Sequence, residues 1–99
     1  MHQIIYFLAV CEEGNFSRAA RRCDVAQQSL TKAIKCLELE LGGLLFYRGK
    51  SETRLTKLGN LVKRRLQRIR LEVERAHEVA RKFNTQSFME ARYLRRPGD

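Results

Sequence analysis

The stretch SRAARRCDVAQQSLTKAIKCLELEL, residues 17–41, has the pattern of a short helix, a tight turn and a longer helix. Ser17 is the predicted N-cap of the short helix, because its hydroxyl can accept a hydrogen bond from the first turn. The small side chains of Ala19 and Ala20 allow a second helix to cross closely. With a predicted turn at 24–26, the stretch has the layout of a helix-turn-helix.

The longer helix, predicted over about 27–41, is apolar on one face and polar on another. Its predicted buried residues are Leu30, Ile34, Leu37 and Leu41. Its outward residues are Gln27, Gln28, Thr31, Lys32 and Lys35. Glutamine pairs with both hydrogen-bonding groups of adenine, and lysine donates to guanine, so this face is suited to the major groove of DNA. The same residues also fit a merely solvated helix face.

Further elements are predicted on both sides of this stretch. An apolar stripe at helical spacing predicts a preceding helix, and its members are Ile4, Phe7, Leu8 and Cys11. Gly14 ends that helix and Gly42 ends the longer one, because glycine adopts the left-handed conformation without penalty. Beyond Gly42, residues 45–47 and 53–55 are predicted short strands, and the turn residues 49–52 join them into a β-hairpin, or wing.

A long helix is predicted after its N-cap, Thr56. Its apolar residues recur at alternate gaps of four and three, which is the heptad pattern of a coiled coil. The predicted dimerisation residues in this seam are Val62, Leu66, Ile69, Val73, Ala76 and Ala80, and Phe83 continues it. Because such a helix spans roughly 40 Å, part of the seam is expected to pair with a second copy rather than with its own domain.

These patterns divide the chain into three parts. Residues 1–56 are the predicted winged helix-turn-helix domain, 57–84 the linker and dimerisation helix, and 85–99 a frayed or disordered tail. The fold class is therefore mainly α.

Charge is concentrated in one part of the sequence. The 99 residues include 20 Lys and Arg and 11 Asp and Glu, a formal net charge of +9. Residues 48–82 hold twelve basic and four acidic side chains, a net charge of +8. A local excess of this kind favours a polyanionic partner such as nucleic acid. No apolar run approaches the roughly 20 residues of a membrane span, and no signal peptide is evident, so the predicted location is the cytoplasm.

Catalysis and metal binding are not indicated. Cys11, Cys23 and Cys36 form no CxxC pair, which predicts reduced thiols rather than disulfides or a zinc site. His2 and His77 are far apart, and neither a Ser-His-acid arrangement nor a Gly-rich phosphate loop occurs. We therefore expect no enzyme activity, no cofactor and no metal.

Residues 12–59 resemble the N-terminal DNA-binding domain of LysR-type transcriptional regulators. The resemblance depends on motifs that occur in order and without gaps: Asn15-Phe16, Ala19-Ala20, Val25 and Gln27, Leu30-Thr31-Lys32, Ile34, Leu37-Glu38, Leu41-Gly42, Leu45-Phe46, Arg48, Leu55-Thr56 and Gly59. It implies a winged helix-turn-helix of three helices and a short β-hairpin, followed by a long dimerisation helix. It also implies a bacterial regulator bound as a homodimer to partly palindromic double-stranded DNA.

The resemblance also implies roles for single residues. The positions that match the groove-reading residues of the family are Gln27, Gln28, Thr31 and Lys32. Ser17 and Arg18 match positions that touch phosphate, whereas Arg48, Lys50 and Arg54 fall in the wing. Lys35, on the outward face of the same helix, is added to the predicted backbone contacts.

The sequence departs from the family pattern in four respects, one of which is Cys23 at a position where leucine is usual. Ala26 stands where the family usually has a serine that caps the recognition helix, and Gln28 stands where proline or serine is common. Nothing after Phe83 is expected to form the effector-binding domain, so no small-molecule effector site is predicted. The predicted function is a dimeric DNA-binding regulator without that domain. The alternatives are a module that pairs with a full-length relative and titrates it, and a membrane-surface role for the basic helix.

Overall fold

The computed structural model describes residues 1–48 and 53–94, most of which belong to four helices. The helices are α1 (His2–Glu13), α2 (Phe16–Arg22), α3 (Gln27–Leu41) and α4 (Lys57–Leu94). Between α3 and α4, Phe46 and Leu55 form an isolated antiparallel bridge. The mainly α fold with a helix-turn-helix is confirmed. The turn predicted to close the wing, residues 49–52, lies outside the described residues.

Helix α2 begins at a different residue from the one that the sequence predicts. Its N-cap is Asn15, whose side-chain oxygen accepts a hydrogen bond from the backbone N–H of Arg18 at 2.9 Å. Ser17 therefore lies inside the helix and its prediction as the cap is wrong. Both residue types cap well, but only Asn15 stands three positions before the N–H that needs an acceptor.

The turn between α2 and α3 is fixed by backbone hydrogen bonds. The N–H of Val25 donates to the carbonyl of Ala20 at 3.0 Å, and the N–H of Asp24 donates to Arg21 at 3.1 Å. This is the Schellman arrangement, with Asp24 in the left-handed conformation at φ 56°. Aspartate tolerates that conformation better than most residues, so the turn does not require glycine here.

The hydrophobic core lies where α1, α2 and α3 meet the segment after α3. Its fully buried residues include Phe7, Leu8, Val10, Ala19, Leu30, Ile34, Leu45 and Phe46. The ring of Phe46 lies 5.4 Å from that of Phe7 and 5.5 Å from that of Phe16, measured between centroids. The inward orientation of Ala19 and Ala20 is confirmed. Leu41, predicted to be buried, is exposed because it lies in the last turn of α3, beyond the core.

Helix α4 starts against this core and then leaves it. Thr56 caps the helix as predicted, since its hydroxyl accepts from the N–H of Gly59 at 3.0 Å. A Cβ atom at Gly59 would collide with the backbone carbonyl of Leu45, so the absence of a side chain permits this approach. The helix continues through Leu94, whereas the sequence predicts a frayed tail from residue 85. The heptad seam stops near Phe83, but residues of high helix propensity follow it, namely Gln86, Met89, Glu90, Ala91, Arg92 and Leu94, and they favour continuation of the helix.

The molecule is elongated, at 66 × 26 × 20 Å, because α4 extends beyond the body. In the described part of the chain, no helix is long and apolar enough to cross a membrane. Cys11, Cys23 and Cys36 are free thiols, and burial raises the pKa of Cys11 to about 11.

Candidate nucleic-acid interface

The outward face of α3 gathers the residues that the sequence predicts to read bases. Gln27, Gln28, Thr31, Lys32 and Lys35 together line one shallow surface depression. All of them are exposed except Thr31, which is half-buried. The opposite face of α3 packs into the core through Leu30, Ile34 and Leu37. The helix is thus held by its apolar face while its amide, hydroxyl and ammonium groups point outward.

Two side chains from neighbouring helices join at the first turn of α3. The hydroxyl of Ser17 in α2 donates a hydrogen bond to the side-chain oxygen Oε1 of Gln27 at 2.7 Å. Both residues are exposed. The sequence predicts a DNA contact for each residue but not the hydrogen bond between them, because that bond depends on the angle between α2 and α3.

Arg18, a predicted backbone contact, lies on the same side of α2. Its guanidinium donates to the backbone carbonyl of Glu13 at 3.1 Å, at the end of α1. A guanidinium carries five N–H donors, so this bond leaves others for a phosphate oxygen. The contact therefore anchors Arg18 without preventing the predicted role.

A network of ion pairs joins three helices behind this surface. The carboxylate of Glu12 in α1 lies 3.0 Å from the guanidinium of Arg22 in α2 and 3.2 Å from that of Arg70 in α4. Arg22 also pairs with Glu13 at 3.3 Å. Hydrogen bonding from Arg22, aided by that from Arg70, holds the pKa of Glu12 below its usual value, and Glu12 in turn raises the pKa of Arg22. These arginines thus serve structure more than they add to the basic surface.

The base of the predicted wing depends on a buried carboxylate. Glu38 is the only buried charged residue in the described ranges, and it accepts a hydrogen bond from the N–H of Leu45 at 2.7 Å. Its second oxygen pairs with the guanidinium of Arg48. Arg48 is a predicted DNA contact, but the structure directs its charge toward Glu38. A glutamate on the apolar side of α3 was a signal in the sequence that such a partner is needed.

The other wing residues have different positions. Arg54 is exposed, and its carbonyl accepts from the N–H of Tyr47 at 2.9 Å. The N–H of Thr56 donates to Leu45, also at 2.9 Å, so two extended segments pair on both sides of the Phe46–Leu55 bridge. Lys50 lies outside the described residues.

The heptad seam of α4 has two distinct parts. Val62, which is half-buried, and Leu66, which is buried, pack against the core of their own domain, so less of each side chain is available to the predicted dimer interface. Farther along, Ile69 is 43% exposed, Val73 is half-buried, and Ala76 and Ala80 are exposed. The apolar side chains that remain available to a partner therefore begin at Ile69.

A basic surface on α4 lies beside the seam. Arg64, Arg65 and Arg68 are exposed and lie next to the exposed side chains of Leu61 and Leu71. Much of the +8 charge of residues 48–82 is thus displayed on this helix.

Residues 1–60 match the family described as "Bacterial regulatory helix-turn-helix protein, lysR family". This match covers more than half of the chain, and it includes α1, α2, α3 and the start of α4. The protein belongs to the LysR family, as the sequence resemblance predicts.

Curated relatives extend well beyond this chain. The HTH-type transcriptional regulator ClcR of Pseudomonas putida is 46% identical over 57 residues, which is 58% of this chain and 19% of ClcR. The probable HTH-type transcriptional regulator LrrA of Synechococcus elongatus is 41% identical over 78 residues, which is 78% of this chain and 26% of LrrA. The chain thus spans about a fifth to a quarter of the length of these relatives.

Solved structures show the same fold bound to DNA. The DNA-binding domain of CbnR in a DNA complex matches with a TM-score of 0.77 at 32% identity, covering 84% of this chain and 95% of that chain. The DNA-binding domain of BenM in complex with catB site 1 DNA matches with a TM-score of 0.79 at 29% identity, covering 84% and 92%. The likeness therefore extends over nearly the whole of two DNA-binding domains.

Proposed function

We propose that this chain binds double-stranded DNA sequence-specifically and acts as a transcriptional regulator on the bacterial nucleoid, in the cytoplasm. The proposal is carried by one observation, the set of amide, hydroxyl and ammonium groups exposed on the outward face of α3. An α-helix fits the major groove, where these groups can pair with base edges. The CbnR and BenM domains, which share the fold, were solved as DNA complexes.

Base reading is assigned to four side chains at the start of α3, namely Gln27, Gln28, Thr31 and Lys32. The backbone contacts are assigned to basic residues around them. Arg18, Lys35 and Arg54 are exposed and cationic, which suits phosphate, and Lys50 belongs to the same set by its place in the sequence. Arg48 is assigned a smaller share, because its guanidinium pairs with Glu38.

The proposed assembly is a homodimer formed through α4. Support comes from the apolar residues of the seam that are exposed beyond the core, from Ile69 to Phe83. A dimer places two copies of α3 on two half-sites, which is the usual arrangement for helix-turn-helix proteins. A module that only sequesters a full-length relative by pairing with it would need the seam alone. The polar face of α3 is not needed for that role, and it favours DNA as the partner.

The test begins with selection of preferred duplexes from a random library, followed by titration of a selected and a scrambled duplex. Gln28→Ala should lose roughly 1–3 kcal/mol on the selected duplex and little on the scrambled one, because a base contact is sequence-specific. Arg54→Ala should weaken binding to both and reduce the slope of log affinity against log salt by about one.

The matched control is Arg81→Ala, which removes the same charge from an exposed position far along α4. This variant should keep both the sequence preference and the salt slope. Equal affinity of the wild-type chain for selected and scrambled duplexes would refute sequence-specific binding. A flat salt profile between roughly 50 and 200 mM would refute a DNA partner altogether.

A further inference from the structure

The first turns of α2 and α3 lie close enough for their side chains to share a hydrogen bond. Ser17 is the second residue of α2, Gln27 is the first residue of α3, and the Ser17 hydroxyl donates to Gln27 Oε1 at 2.7 Å. The contact is positioned by the backbone, since the Asn15 cap fixes the start of α2 and the Asp24 turn fixes the start of α3. Because Asn15 is the cap, the Ser17 hydroxyl is not needed to begin the helix.

The contact limits the freedom of the Gln27 amide. A glutamine amide has an acceptor oxygen and a donor nitrogen, and a half-turn of the amide exchanges their positions. The Ser17 hydroxyl has one proton, which only the oxygen of the amide can accept. A hydroxyl also accepts, so the reversed amide could bond to it through Nε2; in either case the contact holds the Gln27 amide beside α2 and limits the positions that it can take.

The same proton cannot serve a phosphate. Phosphate oxygens are acceptors, and a hydroxyl that has donated its proton to Gln27 has none left for them. From the arrangement in the structure, a backbone contact by Ser17 would therefore require the amide of Gln27 to turn over.

We propose that Ser17 is a positioning residue that sets base specificity by fixing the amide of Gln27. This inference rests on the proposed function, because it assumes that α3 lies in the major groove. A bidentate pair with a base requires the acceptor and the donor in the order that the base edge presents. A restrained amide stays against one base edge, whereas a side chain that moves freely also reaches neighbouring edges and discriminates less.

The experiment measures base preference in the wild type, Ser17→Ala, Gln27→Ala and the double variant. The base pair read by Gln27 is identified as the one whose preference Gln27→Ala removes. Ser17→Ala should reduce discrimination at that base pair roughly 2- to 12-fold, the factor that one neutral hydrogen bond is worth, and at no other base pair. The double variant should match Gln27→Ala, because Ser17 acts only through the amide.

Two further variants separate this role from a merely structural one. Ser17→Thr keeps the hydroxyl and should restore the discrimination that Ser17→Ala loses. Ser29→Ala removes an exposed serine hydroxyl from the first turn of α3 and should leave the preference at the Gln27 base pair unchanged.

A phosphate contact would give a different pattern. Ser17→Ala would then weaken all duplexes by the same factor, and its effect would add to that of Gln27→Ala; this result would overturn the inference and leave the proposed function intact. Failure of the wild-type chain to prefer any duplex would instead overturn the proposed function.

Discussion

Ala26 is the N-cap residue directly before α3, and its methyl group accepts no hydrogen bond. Its backbone has the extended conformation of an N-cap, at φ −66° and ψ 143°, but no side-chain acceptor serves the first N–H groups of the helix. A serine at this position would have the correct backbone to place its oxygen over the N–H of the second or third helical residue. One side chain thus limits the stability of the helix that carries the proposed reading face.

We therefore expect Ala26→Ser to raise the free energy of unfolding by roughly 0.5–2 kcal/mol. Urea unfolding at a fixed protein concentration measures the change. The control is Gln28→Ser, which places the same residue at an exposed position inside the helix, where serine has a lower helix propensity than glutamine. Identical unfolding curves for Ala26→Ser and the wild type would show that the cap is not the limiting factor.

For single residues, the sequence predicts burial and helix capping better than it predicts hydrogen-bond partners. The burial of Ala19 and Ala20 follows from their size and spacing, and the cap of α4 at Thr56 follows from the helix pattern. Asn15 and Ser17 were both suitable caps for α2, and only the actual start of the helix distinguishes them. The contact between Ser17 and Gln27 could not be predicted, because it depends on how the two helices cross.

Among the helices, the ion pairs of Glu12 connect elements that are distant in sequence. Its carboxylate links α1 to α2 through Arg22 and to α4 through Arg70. The pKa of Glu12 is lower in the folded chain than its ordinary value of 4.5. Folding is therefore stabilised by this group above its ordinary pKa, and the stabilisation is lost as the pH falls through the folded-state pKa.

Glu12→Gln should accordingly destabilise the chain at pH 7 and have a smaller effect at about pH 3, because the stabilisation by the wild-type carboxylate decreases as the pH falls below its ordinary pKa. The effect should be modest, at most about 1 kcal/mol, because the side chains are partly exposed to water. Urea unfolding at the two pH values gives the difference.

Glu40→Gln is the matched control, since Glu40 is exposed and belongs to none of the ion pairs in the described residues. It should change stability little at either pH. If both variants lower the free energy of unfolding by the same amount at pH 7, the ion pairs of Glu12 with α2 and α4 contribute nothing specific to stability.

The helix boundaries were largely predictable because local signals set them. Gly14 and Gly42 end α1 and α3 in the left-handed conformation, as expected from glycine after an apolar periodic segment. The pairing of Phe46 with Leu55 falls within the two predicted strands. The Arg70–Glu12 pair was not predictable, since its members are 58 positions apart and no local pattern connects them.

For the whole molecule, the decisive feature is the division of the α4 seam between two partners. Heptad spacing places apolar residues on one face but does not say what covers that face. Val62 and Leu66 are covered by their own domain, whereas the seam from Ile69 onward is available to a second copy. The boundary between these two parts of the seam could not be predicted from the sequence, because a core helix and a coiled coil have the same apolar pattern over a few turns.

We predict that the double substitution Ala76→Asp and Ala80→Asp abolishes the proposed homodimer. Both alanines are exposed in the single chain, so the change should spare its fold, but a dimer would bury two unpaired charges per copy. Sedimentation should show a dimer for the wild type and a monomer for the variant, with a loss of affinity of roughly 100-fold or more.

Thr85→Asp is the control, because Thr85 is exposed and lies about 140° around the helix from Ala80 and about 180° from Ala76. This variant should remain a dimer. If the Ala76 and Ala80 double variant remains a dimer, the two copies pair through another surface. A monomeric wild type would refute the proposed assembly.

The anchoring of Val62 and Leu66 in the body has a consequence for the phase of the seam relative to α3. Since the start of α4 cannot rotate on its own domain, the direction in which the seam faces is set by the number of residues between Leu66 and Ile69. One inserted residue would turn the seam by about 100° and move it by about 1.5 Å. Seven inserted residues would return it to within about 20° of its original direction and lengthen the arm. In the proposed dimer, the length of α4 and the phase of its seam would together set the distance between the two copies of α3.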